Sequence, residues 1–422
     1  MSVPSISRST AVVVDGHSTG TFLADELAGR GIAAIHVQTG DYGAESLRED
    51  TRYLQRITYN GSVADVVDQF NHSTPICCVL PGLEGDGVLV ADQLAASLGL
   101  PGNPPESSQS RRDKAAMASA LAQAGVSHIP HKVSSNVDSL LNAWQSWGSQ
   151  RAVVKPPASA GSEDVHPCET AAEIRAAVSE IVGKINACEQ RNAAAMLQPF
   201  ISGDEYVVNA VSSNGQHCIT DIWYCKKEPG PAGTPIDIYS DLLDARTVEA
   251  QILATYTMEV LDAVGIAWGA SHAEVILSEQ GPVLVEVGAR LMGGSFDFNA
   301  LRRTGAYSQL ETLVDAYVSP ASFQQKLAKP YSVVQEARTA DLQPNVTGLV
   351  RGVDLREIRA LDSYLMNFVA VAPGDEIAAP IDRNTHIGFV TLAHPDRAVM
   401  QLDYEKLRCL ESTIFDVAPA NI

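Results

Sequence analysis

The acids best placed to do chemistry in this sequence are Glu274, in His-Ala-Glu-Val (272–275), and Glu286, in Val-Glu-Val-Gly-Ala-Arg (285–290). Apolar alternation predicts strands over 268–277 and 282–287 around a turn at 278–281. Residues two apart on a strand share a face, so both carboxylates and Arg290 can meet on one side of the hairpin. Side by side, two carboxylates repel, which raises a carboxyl pKa. A Mg2+ ion relieves the repulsion, because it takes carboxylate together with phosphate oxygens. Taken alone, such a pair more often marks an ordinary solvated hairpin face.

Two lysines complement these acids. Lys114 opens a predicted helix, and Lys155 ends a predicted strand (152–155) just before the small-residue run PASAGS (157–162). Ammonium groups neutralise phosphate oxygens, and a loop without bulky side chains lets backbone N–H groups approach them. Singly, such a loop is more often a surface turn. A further segment, 198–206, passes from one strand through a short linker into another. A linker of this kind offers backbone groups to an adenine edge and apolar side chains, here Phe200 or Ile201, to its ring. Glu205 is placed to accept hydrogen bonds from ribose hydroxyls, although on its own the segment more often reads as a plain connection.

The elements that must position these residues fall into three stretches. Over the first hundred residues, apolar runs at 11–14, 32–37 and 76–80 alternate with helical patterns around Phe22, Leu23 and Leu27 and over 88–98. Buried runs between helices predict a doubly wound parallel sheet. Ligands favour the carboxyl ends of such strands, which puts the glycine-bearing loops 16–20 and 82–87 on a rim. The Pro-rich stretch 100–110 reads as a linker, and a helix from about Ser110 to Gly125 carries Arg111, Arg112 and Lys114. The middle holds a helix over 170–185, strands at 195–199, 206–211 and 219–224, a polar loop over 226–234, and a helix over 248–264 closed by Gly265. This mixture predicts α+β lobes. From Tyr331 onward, short strands and turns (Pro373-Gly374, 382–384) predict a closing subdomain.

Composition narrows the function. The chain has 422 residues, 45% hydrophobic and 19% charged, which suits a globular protein of more than one domain. A formal net charge of -20 repels a phosphate polymer, so nucleic acid is not an expected partner; one locally basic pocket remains compatible with it. The seven cysteines contain no C-x-x-C pair, which speaks against zinc and for reduced thiols in the cytoplasm. The segment MSVPSISRST lacks the regions of a signal peptide. No apolar run nears the roughly 20 residues of a membrane span. A cytoplasmic protein with no membrane partner is expected.

In their order along the chain, Lys114, Lys155 with its small-residue loop, the segment from Gln198 to Glu205, Glu274, Glu286 and Arg290 resemble the ATP-grasp superfamily of carboxylate–amine ligases. The resemblance covers essentially the whole chain. It implies an N-terminal α/β domain (1–105), ATP-grasp lobes (106–330, with a lid lobe at about 130–205) and a C-terminal subdomain (331–422). It also implies ATP and Mg2+, with Mn2+ as a substitute. On this resemblance Lys114 and Lys155 touch the phosphates, and Ala160, Gly161 and Ser162 form a lid loop over them. Gln198, Phe200 and Ile201 line the adenine slot, and Glu205 meets the ribose. Glu274 and Glu286 match the metal-binding acids, and Arg290 matches the arginine that stabilises the acyl phosphate. One position departs: many members have Glu-x-Asn where this chain has Glu286-Val287-Gly288, so a third side-chain ligand is missing and the number of metal ions is open.

Gly82-Leu83-Glu84-Gly85, LGLPGNPPE (98–106), SRRDK (110–114) and EVGARLMGG (286–294) are most similar to the L-amino-acid ligases that make dipeptides, including the bacilysin-type enzymes. That likeness implies that Glu84 binds a substrate amino group, and that His272, Arg290, Gly293 and Gly294 face the amino-acid carboxyl. His272 reads equally well as a packed strand histidine. The expected reaction joins two amino acids, or an amino acid and a related carboxylate, through an acyl phosphate, releasing ADP and phosphate. Two alternatives stay open: a ligase for a specialised carboxylate in natural-product assembly, and a nucleotide-binding relative without catalysis. Members of the family often form homodimers, and this sequence carries no interface signature of its own.

Overall fold

The computed structural model describes residues 9–40, 52–70, 74–159, 163–186, 190–230, 235–294, 296–380 and 385–418. Strands β1 (Thr10–Val14), β2 (Ala33–Gln38), β3 (Tyr53–Thr58) and β4 (Ile76–Pro81) form a parallel sheet in the order β3-β2-β1-β4. β1 is buried throughout because both of its faces are covered. Ala11 and Val13 share a core with Leu23 and Leu27, and Val12 and Val14 share one with Val66, Val90 and Leu94. This is the expected doubly wound arrangement. β3 was not among the predicted strands; it lies at the sheet edge, where exposed Leu54, Arg56 and Thr58 dilute its apolar signal.

The chain crosses to the other side of β1 between β3 and β4, and the loops after β1 and β4 meet at that point. A Cβ on Gly20 would lie 2.6 Å from the Gly82 carbonyl oxygen, and one on Gly82 would lie 2.6 Å from that of Asp15. Glycine alone permits this approach. The second loop carries Glu84 and enters the helix Asp86–Ser97 through Gly85 at φ 123°.

The predicted linker is instead a short 3-10 helix, Pro105–Arg111, anchored by a buried cation. Arg111 Nη2 lies 2.7 Å from Asp92 and donates to the Pro104 carbonyl oxygen, while Nη1 donates to those of Val264 and Gly265. The next helix, Lys114–Ala124, begins later than predicted because Asp113 caps it, accepting from the N–H groups of Ala115 and Ala116. It ends at Gly125 in the left-handed conformation.

Strands β5 (Lys132–Ser134), β6 (Ala152–Lys155), β7 (His166–Cys168) and β8 (Ala195–Pro199) form an antiparallel sheet ordered β5-β8-β6-β7. The helices Val137–Ser146 and Ala171–Ile181 back it through Leu140, Trp144, Ile174 and Val178. Then come β9 (Asp204–Ser213), β10 (Gln216–Pro229), β11 (Pro235–Leu242), β12 (Gly269–Ser278), β13 (Gly281–Gly288) and β14 (Glu336–Asp341). β15 (Gly348–Val353), β16 (Tyr364–Val369), β17 (Glu376–Ile377), β18 (Gly388–His394) and β19 (Phe415–Ala418) complete the set. Eight of them make one sheet, β13-β12-β9-β10-β11-β14-β18-β16, and three make another, β17-β15-β19.

Two expectations change here. The predicted loop at 226–234 is strand up to Pro229, and β11 follows it as a strand that the sequence reading lacked. The tail is more than short strands and turns: β14, β18 and β16 extend the main sheet, and an 18-residue helix, Arg397–Ile414, covers the tail. That helix buries Asp403 and Glu411 beside Met400, Leu407 and Ile414, which blurs its apolar period. The predicted turn at 382–384 lies outside the described residues.

Replacing Arg111 with Met would leave Asp92 buried without its cation. The expected loss is about 3–5 kcal/mol, read as a lower midpoint of urea unfolding. A loss below about 1 kcal/mol, as for an exposed pair, would show that this anchor is dispensable.

Candidate active site

The helix Val248–Ala263 covers one face of the main sheet, packing Leu253, Tyr256 and Val260 on Val208, Ala273 and Val287. On the other face, strand register sets side chains in rows across β10, β9, β12 and β13. One row is Trp223, Val207, Glu274 and Glu286; the next is Asp221, Asn209, His272 and Gly288. These rows contribute to a cavity of about 500 Å³ that also takes Glu84 from the loop after β4 and residues from the β5–β8 sheet and β14.

Glu274 and Glu286 stand directly opposite each other, as the hairpin requires. Lys114 Nζ lies 2.6 Å from Glu286 Oε2 and donates to the Ser159 carbonyl oxygen at 2.9 Å. Burial pulls the Lys114 amine down, but Glu286, then Glu84 and Glu274, outweigh it and raise its pKa. Lys155 behaves in the opposite way. Burial, and then the adjacent Lys114 charge, pull its pKa down to about 8.

Arg290 follows β13 and reaches the loop after β4. Its Nη2 lies 2.5 Å and its Nε 3.1 Å from Glu84 Oε2. Burial pushes the Glu84 carboxyl up, yet Arg290 and Lys114 outweigh that and hold it below its ordinary value. A Cβ on Gly288 would already lie 3.5 Å from both Glu84 Oε2 and Arg290 Cγ. The absence of a side chain there leaves the space to this ion pair. Gly293 and Gly294 line the same end of the cavity, and the Gly294 N–H donates to Ser18 Oγ at 3.1 Å.

At the slot end, Gln198, Phe200 and Ile201 line the cavity where β8 leads toward β9. Arg151 stacks on the Phe200 ring, 4.1 Å from its centroid. Glu205 meets Lys227 Nζ at 2.5 Å, and Lys227 also lies 3.6 Å from Asp237. Burial raises the Glu205 carboxyl, partly offset by Lys227. Lys227 is itself raised, because Glu205 and Asp237 outweigh its burial. Lys227 and Asp237 escaped the sequence reading because they fall in or beside the predicted loop. The alternation Ile236-Asp237-Ile238 was the signal that marks their strand. His272 lines the cavity with its ring tied to Asn209, Nδ1 to Oδ1 at 2.8 Å. Thus every predicted site residue that is described reaches this one cavity; Ala160, Gly161 and Ser162 lie outside the described residues.

The donor set fits a divalent cation: two opposed carboxylates on a hairpin, beside lysines suited to phosphate oxygens. Among the described residues, no three His, Cys, Asp or Glu side chains gather closely enough to hold an ion unaided, so ligand oxygens must help to complete its shell. No helix among the described residues is long and apolar enough to cross a membrane.

Residues 149–297 match the ATP-grasp domain. The chain is 27% identical over 417 residues to dapdiamide A synthase of Enterobacter agglomerans, covering 97% of each. An L-amino acid ligase from Bacillus licheniformis superposes with a TM-score of 0.77 at 17% identity, covering 98% of this chain and 99% of that one. A carboxyaminoimidazole ribonucleotide synthase from Aspergillus clavatus, complexed with ATP, superposes with a TM-score of 0.68 at 14% identity, covering 97% and 99%. At such identities the two structures establish a shared fold, which is the predicted α/β and α+β architecture.

With its pKa near 8, about half of Lys155 is neutral at pH 8, against about one part in a hundred or less for an ordinary lysine. A small amine-acylating reagent at that pH should therefore modify Lys155 ahead of the exposed lysines, and ATP should protect it. Peptide mass mapping reads the result. Labelling of Lys155 no faster than that of exposed lysines would contradict this electrostatic picture.

Proposed function

We propose that this ATP-grasp protein is an ADP-forming ligase that joins a carboxylate to an amine through an acyl phosphate. One observation carries the reading: a single cavity combines opposed acids, two lysines and an arginine already paired to an acid. A protein that only bound nucleotide would have no use for the Arg290–Glu84 pair beside the phosphate-binding groups.

Glu274 and Glu286 would hold Mg2+ or Mn2+, which when bound neutralises phosphate oxygens and orients them. Lys114 and Lys155 take up further phosphate charge. Gln198, Phe200 and Ile201 bracket the adenine, and Glu205, steadied by Lys227, accepts from the ribose. A carboxylate oxygen of the first substrate attacks the γ-phosphorus in line, and the bond to ADP breaks. Glu84 receives the ammonium group of that substrate and in doing so releases Arg290. The freed guanidinium, bordered by His272, Gly293 and Gly294, then meets the charge developing on the reacting carboxyl. The amine of the second substrate attacks the acyl carbon, the C–N bond forms, and the C–O bond to phosphate breaks. The loop carrying Ala160, Gly161 and Ser162 would cover the phosphates and keep water from the acyl phosphate.

Likeness to an L-amino acid ligase supports two amino acids as substrates and a dipeptide as product. Whole-length likeness to dapdiamide A synthase supports a second reading, in which one partner is a specialised carboxylate. Both keep the same site and differ only in what it admits. The six described cysteines are free thiols, which accords with a cytoplasmic ligase acting on small molecules.

The test is ADP release from ATP and Mg2+ over a panel of single and paired amino acids. Release should require a particular carboxylate and vanish in Glu286→Ala. Arg290→Met should lower kcat about 100- to 1000-fold while ATP still binds. Release of AMP, or ADP release indifferent to every carboxylate, would contradict the reading.

A further inference from the structure

Amid its charged groups, the cavity has a stretch of uncharged wall formed by Trp223, Met292, Phe296 and Phe389. The three rings form one cluster: the Phe296 centroid lies 6.0 Å from that of Trp223 and 5.8 Å from that of Phe389. All three belong to the core that also holds Ala11 and Leu23, and Met292 packs against that core, so the wall is held in place. The few polar atoms of these side chains are already engaged. Trp223 Nε1 donates to Asp221 at 2.6 Å, and Met292 Sδ accepts from Asn209 Nδ2 at 3.3 Å. What the wall turns to the cavity is therefore carbon. It adjoins the groups assigned to the reacting carboxyl. A Cβ on Gly293 would lie 3.8 Å from Arg290 Nη1, and one on Gly294 would lie 3.7 Å from Phe389 Cε1. Two residues without side chains thus stand between the guanidinium and the aromatic wall, and Gly294, at φ 88°, is in a conformation that favours glycine.

We propose that the substrate whose carboxylate is activated is an α-amino acid with an apolar side chain larger than methyl, and that Trp223, Met292, Phe296 and Phe389 set this specificity. The proposal rests on the ligase reading above. An α-amino acid with its ammonium group at Glu84 and its carboxyl at Arg290 has one heavy substituent left on its α-carbon. The room beside Gly293 and Gly294 leads that substituent to the wall. A polar side chain there would give up water and find no hydrogen-bond partner. An apolar one gains by burial, and gains more as it covers more of the wall. The nucleotide leaves this wall uncovered, because adenine belongs at Gln198, Phe200 and Ile201, where β8 leads toward β9.

Hydroxylamine in place of the second substrate captures an acyl phosphate as a hydroxamate, so the first substrate can be varied alone. With the full chain, ATP and Mg2+, kcat/KM for leucine should exceed that for asparagine, which is of similar size, by about 100-fold or more. Met292→Asn, which sets a polar group in the wall, should lower that leucine-to-asparagine ratio about 10-fold or more. Loss of stability alone would lower both rates and leave the ratio unchanged. A wild type that favours asparagine, or that makes hydroxamate from no α-amino acid while using another carboxylate, would overturn the proposal and leave the ligase reading intact. No hydroxamate from any carboxylate would overturn both.

Discussion

Two carboxylates set opposite each other on neighbouring strands need compensating charge, and the cavity is organised around that need. Glu274 and Glu286 cannot separate, because the β12–β13 register fixes them. In a partly buried site their repulsion is felt more strongly than in water. The cations that answer it come from different parts of the chain: Lys114 from a helix, Lys155 from the β5–β8 sheet, Lys227 from β10 and Arg290 from beyond β13. Electrostatic balance thus ties together lobes that share few strands. On the proposed function, the phosphates and metal ion of the substrate complex would exchange partners with charges that now satisfy one another.

The junction between the N-terminal sheet and the main sheet shows how backbone detail serves that balance. Glu84 reaches Arg290 only because Gly20 and Gly82 let two loops pass in contact and Gly85 turns the chain into its helix. Arg111 holds the adjoining segment by joining Asp92 to the backbone at Val264 and Gly265. Arg30, paired with Asp315, makes a further tie from the N-terminal domain to the helix Gln309–Val318. On the proposed function, the paired Glu84 and Arg290 would put substrate recognition and transition-state charge in one contact. On that reading an ammonium group at Glu84 would compete with the guanidinium for the same carboxylate.

Much of this was legible in the sequence, and the reasons are specific. The β12–β13 hairpin has apolar alternation on both arms, so the pairing of Glu274 with Glu286 followed from period alone. β1 and β4 are short apolar runs closed by glycine loops, which marks a parallel sheet and its rim. Lys227 and Asp237 were missed because prolines and glycines around 229–235 suggested a loop, whereas both residues lie on strands whose pairing runs as far as Pro229 and Pro235. Arg111 was read only as a residue of the helix from about Ser110, and its burial went unseen because its partners Asp92 and Val264 come from other parts of the chain. Tertiary partners of this kind leave no periodic trace. The hydrogen bonds that join Asn209 to Asp221 and His272 were invisible for the same reason: they depend on which strands lie side by side.

The central claim is that a carboxylate is activated by transfer of a phosphoryl group to one of its own oxygens. Once a productive substrate pair is known, its carboxylate can be labelled with oxygen-18 and the released phosphate analysed by mass spectrometry. An acyl-phosphate route places one labelled oxygen in each phosphate formed, because the C–O bond to phosphate is the one that breaks. Phosphate free of label, with amide product still made, would contradict the account.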